Sequence, residues 1–171
     1  MSEEHPYTVM TVCTGNICRS PMGEIVLRNE FAKRGLSDRV RVLSSGVSDE
    51  EYGNPIDRRA VRVLKERGYE LPERHFAHRV TRDEIAQTDL FLPMTASHMA
   101  SLKHILPATK QGEVHMYRSF DPALPKPKAG HESSIDLVDP WYGGMRDFQI
   151  AIDQIEEAAP YIADWVEQQL D

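Results

Sequence analysis

Residues 9–22 constrain this chain more tightly than any other stretch. An apolar run, Val9-Met10-Thr11-Val12, leads at once into Cys13-Thr14-Gly15-Asn16-Ile17-Cys18-Arg19-Ser20-Pro21-Met22. That order predicts a strand, a tight loop with a thiol at its mouth, and a helix capped by Ser20 with Pro21 at its first position. Such a loop turns backbone N–H groups and a helix N-terminus toward one point, which is what an anion such as phosphate requires. Cys13 in that field is a candidate nucleophile, because the thiolate is the attacking form. Arg19, six residues on, offers a planar fork for two phosphate oxygens. Thiol, anion cradle and guanidinium together predict phosphoryl transfer through a cysteine.

A cysteine followed by an arginine is cheap, and a buried cysteine usually serves as a small hydrophobe. The longer string is not cheap, because each residue has a separate job. Gly15 lets the backbone fold tightly and come close to a ligand. Asn16 tolerates left-handed dihedrals and can brace the loop with its amide. Ser20 can cap the helix or turn its hydroxyl toward the thiolate.

The rest of the chain alternates strand and helix patterns. Strands are predicted over residues 7–12, 40–45, 90–94 and 114–117. Helices are predicted over 22–34, ending near Gly35, over 57–67 before Gly68, and over 97–106. A further helix runs from about 146 to 170, with a disturbance at Pro160. Thr81-x-x-Glu84 reads as a capping box. The expected fold is α/β, a doubly wound four-stranded parallel sheet with helices on both faces and the phosphate-binding loop after the first strand. Residues 1–171 form one domain in this reading. Tyr161 and Trp165 on the last helix read as core anchors.

Charge and cysteine usage exclude several classes. The net charge of −7 argues against a nucleic-acid partner, which would meet a clustered basic face. No stretch is apolar enough for membrane insertion, and Met1-Ser2-Glu3-Glu4-His5 is no signal peptide. The two cysteines both lie in the loop, so no disulfide scaffold exists and a cytoplasmic location is expected, with signal-less secretion as the alternative. The seven histidines show no metal-ligand spacing. No metal and no cofactor are expected.

The loop resembles the signature of the low-molecular-weight protein tyrosine phosphatases, bacterial type, and the resemblance runs over nearly the whole chain. Ser44-Ser45-Gly46 is similar to the family's Ser-Ala-Gly, and Gly53-Asn54-Pro55-Ile56-Asp57 to the segment closing the next loop. His75-Phe76-Ala77 matches its His-x-Ala, Ser119-Phe120-Asp121-Pro122 its late turn, and Asp139-Pro140-Trp141-Tyr142-Gly143 its acid loop. Expulsion of a phenolate calls for a carboxylic acid able to reach the cradle. Asp121-Pro122 and Asp139-Pro140 both offer one, and the resemblance favours Asp139, which carries flanking aromatics. It implies Cys13 as nucleophile, Arg19 as phosphate ligand and Asp139 as general acid and base. Thr14, Gly15, Asn16, Ile17, Cys18 and Ser20 complete the phosphate loop, and Ser44 and His75 hold its shape. Phosphotyrosine-containing proteins are the implied substrates. The resemblance also implies a reversible Cys13–Cys18 disulfide, against which stands simple packing of Cys18 behind the loop.

Arsenate reductases on this fold relay oxidation through downstream cysteines, and none follows Cys18 here. Relatives acting on phosphoarginine carry Thr where this chain has Ile17, whose apolar side chain suits a phenyl ring. A catalytically silent phosphate-binding module is the third alternative, disfavoured by intact Cys13, Arg19 and Asp139. The expected pocket wall is Glu50, Tyr52, Trp141 and Tyr142. Glu50 stands where the family commonly has an aromatic. The 122–139 segment, with Pro125-Lys126-Pro127-Lys128, reads as a mobile, solvated excursion.

Overall fold

A computed structural model describes residues 5–170. Strand β1 (Tyr7–Cys13) lies between β2 (Val40–Gly46) and β3 (Leu90–Pro93) in a three-stranded parallel sheet of order β2-β1-β3. Pairing runs from Tyr7 opposite Val40 to Cys13 opposite Gly46, and from Val9 opposite Leu90 to Val12 opposite Pro93. Parallel neighbours require crossovers. Helix α1 (Arg19–Lys33) joins β1 to β2, and α2 (Arg58–Glu66) and α3 (Arg82–Gln87) lie between β2 and β3. Helices α4 (Ala96–Ile105) and α5 (Met145–Gln169) follow.

Alternation along β1 decides which helices cover which face. Val9 and Cys13 pack into a core shared with α1, α2 and α5, whereas Met10 and Val12 meet Leu102 and Leu106 at the far end of α4. The sheet is therefore flanked by helices on both faces. Local signals set the helix starts. Asp57 caps α2 by accepting from the Arg59 amide, the Thr81–Glu84 capping box opens α3, and Thr95 caps α4.

Four expectations change. The fourth strand shrinks to one parallel bridge, Phe91 to Val114, in which His115 donates to the Phe91 carbonyl at 3.0 Å. Pro93, two residues on at the same sheet edge, has no N–H to extend the ladder. The chain then turns into a 3₁₀ segment, Tyr117–Phe120, which buries the Tyr117 ring with its hydroxyl on the Ile155 carbonyl at 2.8 Å. Helix α5 passes Pro160 without a break, and the Arg34 guanidinium donates to the Pro160 carbonyl. Tyr161 is exposed rather than a core anchor, while Trp165 packs edgewise against Phe120 and at a tilt against His115. The 122–139 segment is solvated only in its first part. Its second part is held: Ile135 and Leu137 are buried, Leu137 donates to the Met94 carbonyl, and Asp136 accepts from the Ala96 amide. Among the described residues, no helix is long and apolar enough to cross a membrane.

Candidate active site

The carboxyl end of β1 places Cys13 at the floor of a cleft of about 290 Å³. Helix α1 begins at Arg19, three residues earlier than expected, with Cys18 at the N-cap and no side-chain cap. Ser20 does not cap because its hydroxyl is engaged elsewhere. It lies 3.0 Å from Cys13 Sγ and accepts from Asn16 Nδ2 at 2.9 Å. With its oxygen occupied by that donor, the Ser20 hydrogen is free to point at the sulfur. Pro21 falls inside the first turn, where its missing N–H removes nothing.

Asn16 is fully buried, and among the described residues it is the non-glycine residue with positive φ, 61°. Its polar atoms fix that conformation. Nδ2 also donates to Ser44 Oγ at 3.0 Å, Oδ1 accepts from the His78 amide at 3.3 Å, and the carbonyl accepts from His75 Nε2 at 2.8 Å. Among the described residues, no amide of residues 14–19 donates to a protein carbonyl, which leaves them for an anion. Gly46 is required behind this loop, since a Cβ there would lie 2.5 Å from the Thr14 carbonyl oxygen.

Arg19 is buried, donates from Nη1 to the Leu137 carbonyl at 3.1 Å, and keeps Nη2 3.5 Å from Asp139 Oδ2. The carbonyl aims the guanidinium, and the carboxylate ties the acid loop to it across the cleft. Asp139 Oδ1 accepts from the Trp141 amide at 3.0 Å, so the Asp-Pro turn is closed from within.

Cys13, Thr14, Gly15, Ile17, Cys18 and Arg19 line the cleft, with Glu50, Asp139, Trp141 and Tyr142 around it. Asn16, Ser20, Ser44 and His75 lie behind the loop. Tyr52, expected at the pocket wall with an exposed loop tyrosine as the alternative, is 75% exposed and does not line the cleft. A turn closed by Tyr52 N on the Asp49 carbonyl, with Gly53 at φ 84°, directs it outward. Glu51 takes the position instead, its stem packed where a Cβ on Gly15 would stand.

Three further residues escaped the sequence reading. His98 is buried with Nε2 2.8 Å from Thr14 Oγ1. His78, besides its amide bond to Asn16, donates from Nε2 to Glu84 at 2.8 Å, and that hydrogen bond raises its pKa above the ordinary histidine value. Arg59 reaches both the Trp141 and the Gly143 carbonyl. The one signal for any of these was the Thr81–Glu84 capping box beside His78. Burial, followed by the charge of Asp57, pushes the Cys18 thiol well above the ordinary range, so it stays protonated.

Known proteins are similar to this chain in sequence and fold. The family described as low molecular weight phosphotyrosine protein phosphatase matches residues 8–171. The low molecular weight protein-tyrosine phosphatase A of Mycobacterium tuberculosis is 38% identical over 96% of this chain and 94% of its own length. A low molecular weight phosphotyrosine phosphatase structure from Vibrio cholerae superposes with a TM-score of 0.82 at 28% identity, covering 95% of this chain and 98% of that one. An arginine phosphatase structure from Geobacillus stearothermophilus superposes at 0.78 and 27% identity, covering 96% of this chain and 95% of that one.

Proposed function

The chain belongs to the low molecular weight phosphotyrosine protein phosphatase family, and from that premise we propose that it removes phosphate from tyrosine in proteins through Cys13, Arg19 and Asp139. The observation that carries this reading is the convergence of the three on one cleft. Cys13 Sγ sits beside the Ser20 hydroxyl, and Arg19 faces Asp139 at 3.5 Å.

In the first step the Cys13 thiolate attacks phosphorus, the P–O bond to tyrosine breaks, and Asp139 gives its proton to the departing oxygen. The loop amides and the Arg19 fork hold the three remaining phosphoryl oxygens, where charge is concentrated in the transition state. In the second step water attacks the cysteinyl-phosphate, Asp139 takes the proton, and sulfur leaves as thiolate toward the Ser20 hydroxyl. Neither step draws on a metal or cofactor.

Phosphotyrosine is favoured over phosphoarginine by Ile17, a half-buried apolar residue on the cleft wall, and by Trp141 and Tyr142 opposite. These surfaces fit the faces of a flat phenyl ring. The arsenate relay has no further cysteine to use. We read residues 1–171 as one catalytic domain acting in a reducing, cytoplasmic setting, consistent with two free thiols. Cys13→Ser decides the mechanism: it abolishes hydrolysis of para-nitrophenyl phosphate and of a phosphotyrosine peptide. Parental rates in that variant would refute the cysteinyl-phosphate route.

A further inference from the structure

Arg59 has no part in the steps above, yet it joins the phosphate loop to the acid loop. Its guanidinium forks onto Asp57, with Nε to Oδ1 and Nη2 to Oδ2 both at 3.1 Å. Nη1 donates to the Trp141 carbonyl at 3.2 Å and the Gly143 carbonyl at 2.9 Å. Four of its five N–H groups are therefore engaged. The guanidinium carbon also lies 5.4 Å from the Trp141 ring centroid and 4.6 Å from that of Phe148. On the other side, the Asp57 amide donates to the Ile17 carbonyl at 2.9 Å.

The acid loop is held at its start, where the Val138 amide donates to Gln154 Oε1, Asp139 faces Arg19 and Pro140 is buried, but little else holds it beyond that point. Trp141, Tyr142, Gly143 and Gly144 are exposed, and the turn bonds from Trp141 to Asp139 and from Gly143 to Pro140 are internal. Among the described residues, the hydrogen bonds from the protein body to residues 140–143 both come from Arg59. A planar fork already fixed by a carboxylate loses little freedom in making them, which a lysine cannot reproduce.

We propose that Arg59, braced by Asp57, is a positioning residue for the general acid: it anchors Trp141 and Gly143 to the phosphate loop so that Asp139 faces the leaving oxygen. This rests on the reading of Asp139 as the acid. Misplacing a catalytic group by about 1 Å costs up to about a hundredfold in rate. The loss must fall on substrates that need the proton.

The test compares kcat/KM, which reports the bond-breaking step, on a phosphotyrosine peptide and on dinitrophenyl phosphate, whose phenolate departs unprotonated. Asp139→Asn sets the reference by losing far more on the peptide. Arg59→Gln is expected to lose about ten- to a hundredfold on the peptide and less than about threefold on dinitrophenyl phosphate, with Arg59→Lys between it and the parent. Arg62→Gln removes a surface pair with Glu66 on the same helix and leaves both values at parental level. Equal losses on the two substrates in Arg59→Gln, or none, overturn the proposal while Asp139→Asn still splits them. If Asp139→Asn shows no split, the acid assignment fails and the proposal with it. Should Arg59→Gln not fold, the same split or its absence is read from Arg59→Lys.

Discussion

His98 Nε2 lies 2.8 Å from Thr14 Oγ1, while Nδ1 of the same ring is buried without a partner. A buried N–H lacking an acceptor costs more than a bare lone pair, so the proton is assigned to Nε2 and is donated to Thr14. The Thr14 hydroxyl hydrogen is then left for the cleft. Helix α4 thereby supports the phosphate loop from the face opposite α1, since the backbone amide of His98 is itself held by the Thr95 cap.

Burial of this imidazole makes the fold acid-sensitive in a defined window. Burial, with the nearby Arg19 charge adding to it, pulls the His98 pKa from 6.5 down to about 3. The folded value lies below the unfolded one, so the stabilisation is complete above pH 6.5 and is lost as pH falls toward 3. Each pH unit in that window removes up to about 1.4 kcal/mol. Urea unfolding of the parent from about pH 7 to about pH 4 is expected to show that slope, and His98→Gln to flatten it whatever its stability at neutral pH. Equal slopes in the two proteins would assign the acid sensitivity to other groups.

Glu50 and Glu51 set a negative rim on the cleft mouth. Glu51 is fastened by Asn54 Nδ2 at 2.7 Å, whereas Glu50 is exposed and open to substitution. Two unit charges about 7 Å apart in water interact by about 0.6 kcal/mol, or roughly threefold in kcat/KM. Glu50→Tyr is therefore expected to raise kcat/KM about threefold on phosphotyrosine peptides with neighbouring acids, and to leave basic peptides level or lower. The gain shrinks in high salt. An unchanged ratio between the acidic and the basic peptide removes Glu50 from the account of specificity.

The parts of this site that sequence reasoning reached are those set by local backbone chemistry. Asn16 was expected to take a left-handed conformation and brace the loop, and it does so at φ 61° with its amide on Ser20 and Ser44. Asp57 and Gly68 bound α2 as their residue types require. Parts that depend on which loops meet in space were not readable. Ser20 has the composition of a cap but serves the sulfur, because β1 ends directly beneath it. Tyr52 was expected at the pocket wall, and a single turn directs it outward and puts Glu51 there. Val114 has strand chemistry, yet Pro93 on the neighbouring edge ends the ladder. Arg59 carries no motif of its own, since its partners Trp141 and Gly143 lie far along the chain.

Cys13 and Cys18 are both buried and unpaired, and their surroundings differ. The Cys18 thiol is held protonated by burial and by Asp57, whereas Cys13 has the Ser20 hydroxyl and the free loop amides at hand. Peroxide that reaches Cys13, the proposed nucleophile, converts it to a sulfenic acid. Closure then requires Cys18 sulfur to attack that sulfur, forming the S–S bond and releasing water. Because the attacking form is the thiolate, closure is slow at neutral pH and quickens as pH rises. Slow closure leaves time for a second peroxide to carry Cys13 to the irreversible sulfinic acid. Activity recovered by dithiothreitol after a brief peroxide pulse is thus expected to increase with the pH of the pulse. In Cys18→Ser it should fall severalfold and lose that pH dependence. Equal recovery in parent and variant would leave Cys18 as packing behind the loop, with no part in protecting the nucleophile.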